Sequence, residues 1–223
     1  MSKNPRPELH LDVLPLFARE AFERCTALPL FSSGGWYLAG GTALALHIGH
    51  RQSQDLDFFT AKKTVDENEV EQRLSREKHW KTSSKSAGTL YGELAGGKVS
   101  LIAYPFFKPS EPFVTCGTVS ILQPKDIAVM KITTISQRGR KRDFVDLYWL
   151  CRNLLPLSES FYRVEKQYTI KQNPNHILKS LLYFDDAEND PMPTLFFSVT
   201  WEEIKKYFET EVPKIARELM GLT

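Results

Sequence analysis

A glycine pair interrupts an apolar run early in this chain, and that interruption constrains the fold more than any other feature. Trp36-Tyr37-Leu38-Ala39 reads as a short strand, and Gly40-Gly41-Thr42 breaks it and opens a helix through about Ile48. A strand that turns on glycines directly into a helix belongs to a sheet layered with helices. Glycines at such a junction let backbone N–H groups approach a ligand, and the helix start offers unpaired N–H groups and the positive end of its dipole. The junction is therefore a seat for phosphate, although the same pattern also arises wherever the chain needs a tight turn.

Upstream, Leu11, Leu14, Phe17, Ala18, Ala21 and Cys25 recur at helical spacing, which predicts one helix from about Glu8 to Leu28, followed by a turn at Ser32–Gly35. Downstream, Asp55-Leu56-Asp57-Phe58-Phe59 reads as a strand and Asp66–Lys78 as a surface helix. Strands follow at Lys81–Lys85, Thr89–Leu94 and Val99–Tyr104, the last two joined by a hairpin turn at Ala95-Gly96-Gly97-Lys98. Pro105–Pro112 is a loop, and Thr118–Leu122 a last short strand. After Pro124 the pattern turns helical, at about 125–136, 141–152, 158–170, 174–183 and 200–219. The expected class is α+β: a small mixed β-sheet core with flanking helices over residues 1–123, then a helical part over 124–223.

Composition adds exclusions. At 223 residues and 42% hydrophobic, the chain can build a core without staples. A net charge of +2 announces no global field toward nucleic acid or membrane, so any basic surface is local. Cys25, Cys116 and Cys151 are odd in number and far apart, which argues against a disulfide framework or a zinc site. No signal-peptide pattern opens the chain, and no apolar run reaches the ~20 residues a membrane span needs. A soluble, cytoplasmic protein with no membrane partner is expected.

Asp55 and Asp57 sit two apart on a strand and so point to one face, while Leu56 and Phe58 point to the other. Paired carboxylates repel, and a hard cation such as Mg²⁺ or Mn²⁺ between them, completed by phosphate oxygens and water, relieves that cost. The competing reading is a solvated acidic edge. About a dozen residues separate Thr42 from Asp55, enough for a short helix and a return into a neighbouring strand. His47 and His50 nearby allow a third possibility, a metal phosphohydrolase site, though no known ligand spacing completes it.

The stretch Leu38-Ala39-Gly40-Gly41-Thr42-Ala43-Leu44-Ala45-Leu46-His47 through Arg51-Gln52-Ser53-Gln54-Asp55-Leu56-Asp57-Phe58-Phe59 closely resembles the AbiEii/AbiGii toxin family of nucleotidyltransferases, within the DNA polymerase β-like superfamily. A second resemblance lies in Asp126-Ile127-Ala128-Val129-Met130-Lys131 and in Arg138-Gly139-Arg140-Lys141-Arg142-Asp143-Phe144-Val145-Asp146-Leu147-Tyr148. The likeness runs from about Gly35 to Leu150. It implies an enzyme that moves a nucleoside monophosphate from an NTP, with Mg²⁺ (or Mn²⁺), onto an acceptor such as the 3′ end of tRNA. It further implies the toxin half of a toxin–antitoxin or phage-defence system, with a cognate antitoxin as partner.

In these terms Asp55 and Asp57 hold the metal, and Gly40, Gly41, Thr42 and Arg51 belong to the phosphate site. Lys131 neutralises the triphosphate and Asp143 orients or deprotonates a substrate, so the helical part completes the active site. Asp146 is expected to brace helix packing. The basic run Arg138, Arg140, Lys141 and Arg142 either grips phosphates or is merely solvated. One departure stands out: superfamily members usually carry a third carboxylate on a later strand, and here Ser100 occupies that place, with Glu93 on the preceding strand as a substitute. A catalytically silent nucleotide- or RNA-binding module of the same fold is therefore the alternative.

Overall fold

The computed structural model describes residues 8–222, and the chain divides into two compact units, Met1–Gln123 and Pro124–Thr223. In the first unit a 3-10 turn, Leu11–Val13, leads into α1 (Leu16–Cys25) and α2 (Pro29–Ser33). The single helix expected from Glu8 to Leu28 is thus interrupted. Pro15 has no N–H to continue a helix and pushes Leu14 into an extended conformation, so α1 starts only at Leu16. Strand β1 (Trp36–Ala39) runs into α3 (Gly40–Ile48), and β2 (Leu56–Thr60) follows. Helix α4 (Glu67–Leu74) starts at Asp66, whose carboxylate accepts from the N–H groups of Asn68 and Glu69.

The remaining strands are β3 (Trp80–Ser86), β4 (Thr89–Leu94), β5 (Gly97–Ala103), β6 (Val114–Cys116) and β7 (Val119–Ile121). They form one seven-stranded sheet in the order β3-β4-β5-β2-β1-β7-β6. β2 pairs parallel with β5 and β1 parallel with β7, while the other pairs are antiparallel, so the sheet is mixed as expected. The β4–β5 hairpin turns on Ala95 and Gly96, both at positive φ (51° and 83°), the backbone that a two-residue turn with the right twist requires. Strand β6, unforeseen in the sequence, is three residues long and too short for a period to be read.

β2 alternates strictly. Leu56, Phe58 and Thr60 are buried, and Phe58 meets Phe31 of α2 at a ring separation of 4.1 Å. Asp57 and Phe59 take the other face. On that face Phe59 joins a run of aromatic contacts through Tyr37 to Phe113 on one side and through Tyr104 to Phe106 on the other.

The second unit is helical: α5 (Pro124–Arg138), α6 (Lys141–Asn153), α7 (Leu157–Gln167), α8 (Pro174–Ser180), the short α9 (Asp185–Glu188) and α10 (Trp201–Leu219). Every residue of α5 from Asp126 to Thr133 is buried, which makes it the central helix, against which α6, α7 and α8 pack. Phe144 of α6 packs edge-on or tilted against Phe184, Trp201 and Phe208 at 5.3–5.8 Å. Thr200 and Glu203 close a capping box at the start of α10. Among the described residues no helix is long and apolar enough to cross a membrane.

Candidate active site

The first unit assembles the residues around the glycine turn. Gly40 has φ +69°, a left-handed value that side chains resist, and this single residue converts β1 into α3. Ala39, the residue before it, pairs with Asp57 on β2, so the strand register sets the Asp57 carboxylate beside the helix start. A Cβ built on Gly40 would lie 3.5 Å from Asp57 Oδ2. The bare glycine backbone, the first N–H groups of α3 and a carboxylate thus share one small region.

Thr42 is buried, and its hydroxyl donates to the carbonyl of Asp55 at 2.5 Å and meets Ser53 Oγ at 2.8 Å. Its side chain therefore fixes the segment that carries Asp55, and only its backbone N–H remains for a phosphate. Arg51, expected in the phosphate site, is 4% exposed and donates through Nη1 to the carbonyl of Gln52. Ser100 pairs directly with Asp57 across the parallel β2–β5 ladder. The position where a third carboxylate was sought is thus beside Asp57, and it holds a hydroxyl. Glu93 stands one strand further out, opposite Lys98.

His47 donates through Nε2–H to the Leu122 carbonyl at 3.0 Å, and burial holds its pKa below the ordinary imidazole value, against the opposing pull of that carbonyl. A half-buried ring tied in this way is held by packing and by the Leu122 carbonyl. Among the described residues no group of three or more His, Cys, Asp or Glu side chains is placed to hold a metal ion. Asp55 and Asp57 remain as a pair of hard oxygen donors. That number suits Mg²⁺, which binds proteins through one or two carboxylates and takes its other ligands from phosphate and water.

In the second unit Lys131 is 5% exposed and lies between two carboxylates. Its Nζ is 2.6 Å from Asp143 Oδ1 and 2.6 Å from Asp146 Oδ2, both on α6. Asp143 and Asp146 face the same way because they are one helical turn apart. Two of the three ammonium N–H groups are therefore committed. Asp143 Oδ2 is buried and accepts no hydrogen bond, the Arg138 guanidinium approaching only to 4.0 Å. The Lys131 ammonium is thus held between two carboxylates of α6 and is not an exposed cation.

The basic run divides. Arg140 makes a bidentate pair with Asp190, at 2.7 and 2.5 Å. Lys141 is buried: its Nζ donates to the carbonyls of Glu188 and Asp190 and lies over the Trp201 ring at 5.1 Å. Asp190 also accepts from the Lys141 backbone N–H, the first of α6, and so anchors the helix that presents Asp143. Sequence spacing gives no hint of Asp190, which lies 50 positions from Arg140.

With this geometry in view, comparisons with known proteins decide the family. The model of the nucleotidyl transferase AbiEii toxin family, of type IV toxin–antitoxin systems, matches residues 29–88 and 107–219. The chain belongs to the AbiEii nucleotidyltransferase toxin family. An uncharacterized protein of Aquifex aeolicus (strain VF5), aq_aa25, is 36% identical over 198 residues, spanning 87% of this chain and 93% of that protein. Two solved structures share the fold. JHP933 from Helicobacter pylori has a TM-score of 0.53 at 19% identity, covering 93% of this chain and 95% of that one. MenT4, a nucleotidyltransferase toxin from Mycobacterium tuberculosis, has a TM-score of 0.52 at 15% identity, covering 91% and 88%. The AbiEii match omits residues 89–106, the segment that holds β4, its hairpin turn and β5 with Ser100.

Proposed function

We propose that this AbiEii-family chain transfers a nucleoside monophosphate from an NTP to the 3′ end of an RNA, tRNA being the favoured acceptor. The observation that carries the reading is the Ala39–Asp57 pairing, which sets a carboxylate against a glycine turn at a helix start. Phosphate oxygens seated on the N–H groups of Gly41 and Thr42 then lie within reach of the same carboxylate. Asp55 and Asp57 are the residues that would hold Mg²⁺ or Mn²⁺, which when bound supplies charge neutralisation on the phosphates and polarises the reacting phosphorus.

The chain's own contribution is positional. Gly40 keeps the cradle free of side chains, and Thr42 ties Asp55 in place. Gly41 and Thr42 present N–H groups to the transferred phosphate. Resemblance to the family's second motif supports a part for Lys131 and Asp143 in the same reaction, with Asp146 bracing the helix packing. With both carboxylates taking its N–H groups, Lys131 acts as a positioning residue that holds Asp143 in its rotamer. In a cell this reading implies a cytoplasmic toxin whose activity a cognate antitoxin restrains.

The test is incubation with each α-³²P-labelled NTP, Mg²⁺ and total tRNA, with Asp55→Ala/Asp57→Ala as control. Label on RNA that vanishes in the control supports the reading; label on the protein itself assigns a protein acceptor. Ser100 beside Asp57 favours a second reading, a silent nucleotide- or RNA-binding module. Nucleotide binding without label on any acceptor would establish that instead.

A further inference from the structure

The end of the sheet next to the candidate site carries a cleft. Because Leu56 of β2 pairs with Val99 of β5, Lys98 lies one position outward on β5 and by alternation shares the face of Ser100 and Asp57, while Asp55 immediately precedes β2. Phe17 of α1 forms one wall, Gln54 and Asp55 another, and Gly96, Gly97 and Lys98 a third. At about 290 Å³ the cleft is at the small end of ligand sites, room for one nucleotide unit and not for a length of strand.

Phe17 is the unusual member. The buried face of α1 is Ala18, Ala21, Phe22 and Cys25, while Phe17 is 62% exposed. A lone exposed ring is ordinary on a protein surface. This one, however, stands over the glycine pair that follows Ala95 in the turn: a Cβ on Gly96 would lie 3.1 Å from Phe17 Cδ1, and one on Gly97 2.6 Å from the Ala21 Cβ. The turn geometry accounts for Gly96 locally, and the same bare backbone keeps the ring accessible. Lys98, across the ladder from Glu93, forms no ion pair among the described residues and is the basic residue of the cleft lining. A ring and a cation flanking a phosphoryl-transfer carboxylate is the combination that holds an unpaired nucleotide: the base stacks and the phosphate is neutralised. Phe17 and Lys98 both lie outside the segments that match the family model.

We propose that this cleft is the acceptor subsite, seating the 3′-terminal nucleotide of a single-stranded RNA end with its base on Phe17 and its phosphodiester at Lys98. The inference rests on the transferase reading above and deepens it. In the reaction it serves, the terminal hydroxyl oxygen forms a bond to the α-phosphorus of the NTP. The bond from that phosphorus to pyrophosphate breaks, and the hydroxyl proton leaves to solvent.

The experiment uses the full chain without NTP and a short RNA whose 3′-terminal base is 2-aminopurine, read by fluorescence. Binding quenches the wild-type signal. Phe17→Ala, an exposed position, is expected to relieve the quench and to weaken binding roughly 10-fold, while Phe17→Tyr retains both. Lys98→Gln weakens binding and lowers the slope of log affinity against log salt by about one phosphate contact. In turnover the same variants raise the KM for RNA and leave the KM for NTP unmoved. Unchanged quench and affinity in both Phe17→Ala and Lys98→Gln overturn the subsite, as does failure of the wild type to bind the RNA. The two proposals separate cleanly. Phe17-dependent binding with no label transferred keeps the subsite and sinks the transferase reading; labelled RNA with both variants unaffected does the reverse.

Discussion

The hydroxyl of Thr42, on the first turn of α3, donates to the backbone carbonyl of Asp55, 13 positions away, at 2.5 Å. One buried side chain thus couples the first turn of α3 to the segment that carries Asp55. Thr42→Val keeps the shape and leaves that carbonyl without its partner. A stability loss of about 1–3 kcal/mol is expected in urea unfolding, with Thr42→Ser close to wild type. Metal-dependent activity should fall further than stability alone explains, and equal activity at a temperature where both variants are fully folded would refute the coupling.

Gly40 sits at φ +69°. Gly40→Ala forces a side chain into the left-handed region, at about 1–2 kcal/mol, and puts a methyl group 3.5 Å from Asp57 Oδ2. The expected outcome is a raised KM for NTP with a modestly lowered Tm. An unchanged nucleotide affinity would mean that the turn is a connection only.

Lys131→Met strands Asp143 and Asp146 in the core. Removing one member of a buried charge network costs about 3–5 kcal/mol, because the remaining charges lose their compensation. Replacing both carboxylates as well, with Asp143→Asn and Asp146→Asn, should restore much of the stability and none of the activity. Calorimetry of the single and triple variants distinguishes this from simple loss of packing, which the triple variant would not repair.

His47 gives a pH signature. Its pKa is held below the ordinary value by burial, so the unfolded chain takes up a proton first as pH falls. The contribution is fully present above about pH 6.5 and is lost as pH drops from there through the folded-state value. His47→Gln keeps an N–H for the Leu122 carbonyl and removes the titration, so its Tm should decline less steeply than wild type over that window. Parallel curves would show that the ring titrates freely.

Asp190 behaves at lower pH. The Arg140 guanidinium, with help from the Lys141 backbone N–H, holds its carboxyl below the usual carboxylate range, against partial burial. The unfolded chain binds the proton first, so this stabilisation is present above about pH 4 and disappears as pH falls through the depressed folded value. Asp190→Asn should lower Tm at neutral pH and converge with wild type in acid. It should also lower activity by loosening the start of α6.

Much of the site was written locally. Gly40-Gly41-Thr42 and Asp55-Leu56-Asp57 declare a turn, a helix start and a same-face carboxylate pair because those facts depend on residues at most a few positions apart. The α+β class and its mixed sheet follow from similar short-range patterns, as does the helical character after Pro124. Pro15 shows the limit of periodicity: apolar spacing suggested one helix, and a single missing N–H divided it. Pairing across the chain was decided by the tertiary structure alone. Sequence could not set Ser100 opposite Asp57, send the Thr42 hydroxyl to Asp55, lock Lys131 between Asp143 and Asp146, or bring Asp190 to the head of α6. Those contacts arise from strand register and helix packing, in which residues far apart in the chain meet because their neighbours have buried apolar surface, a dependence that no local pattern encodes.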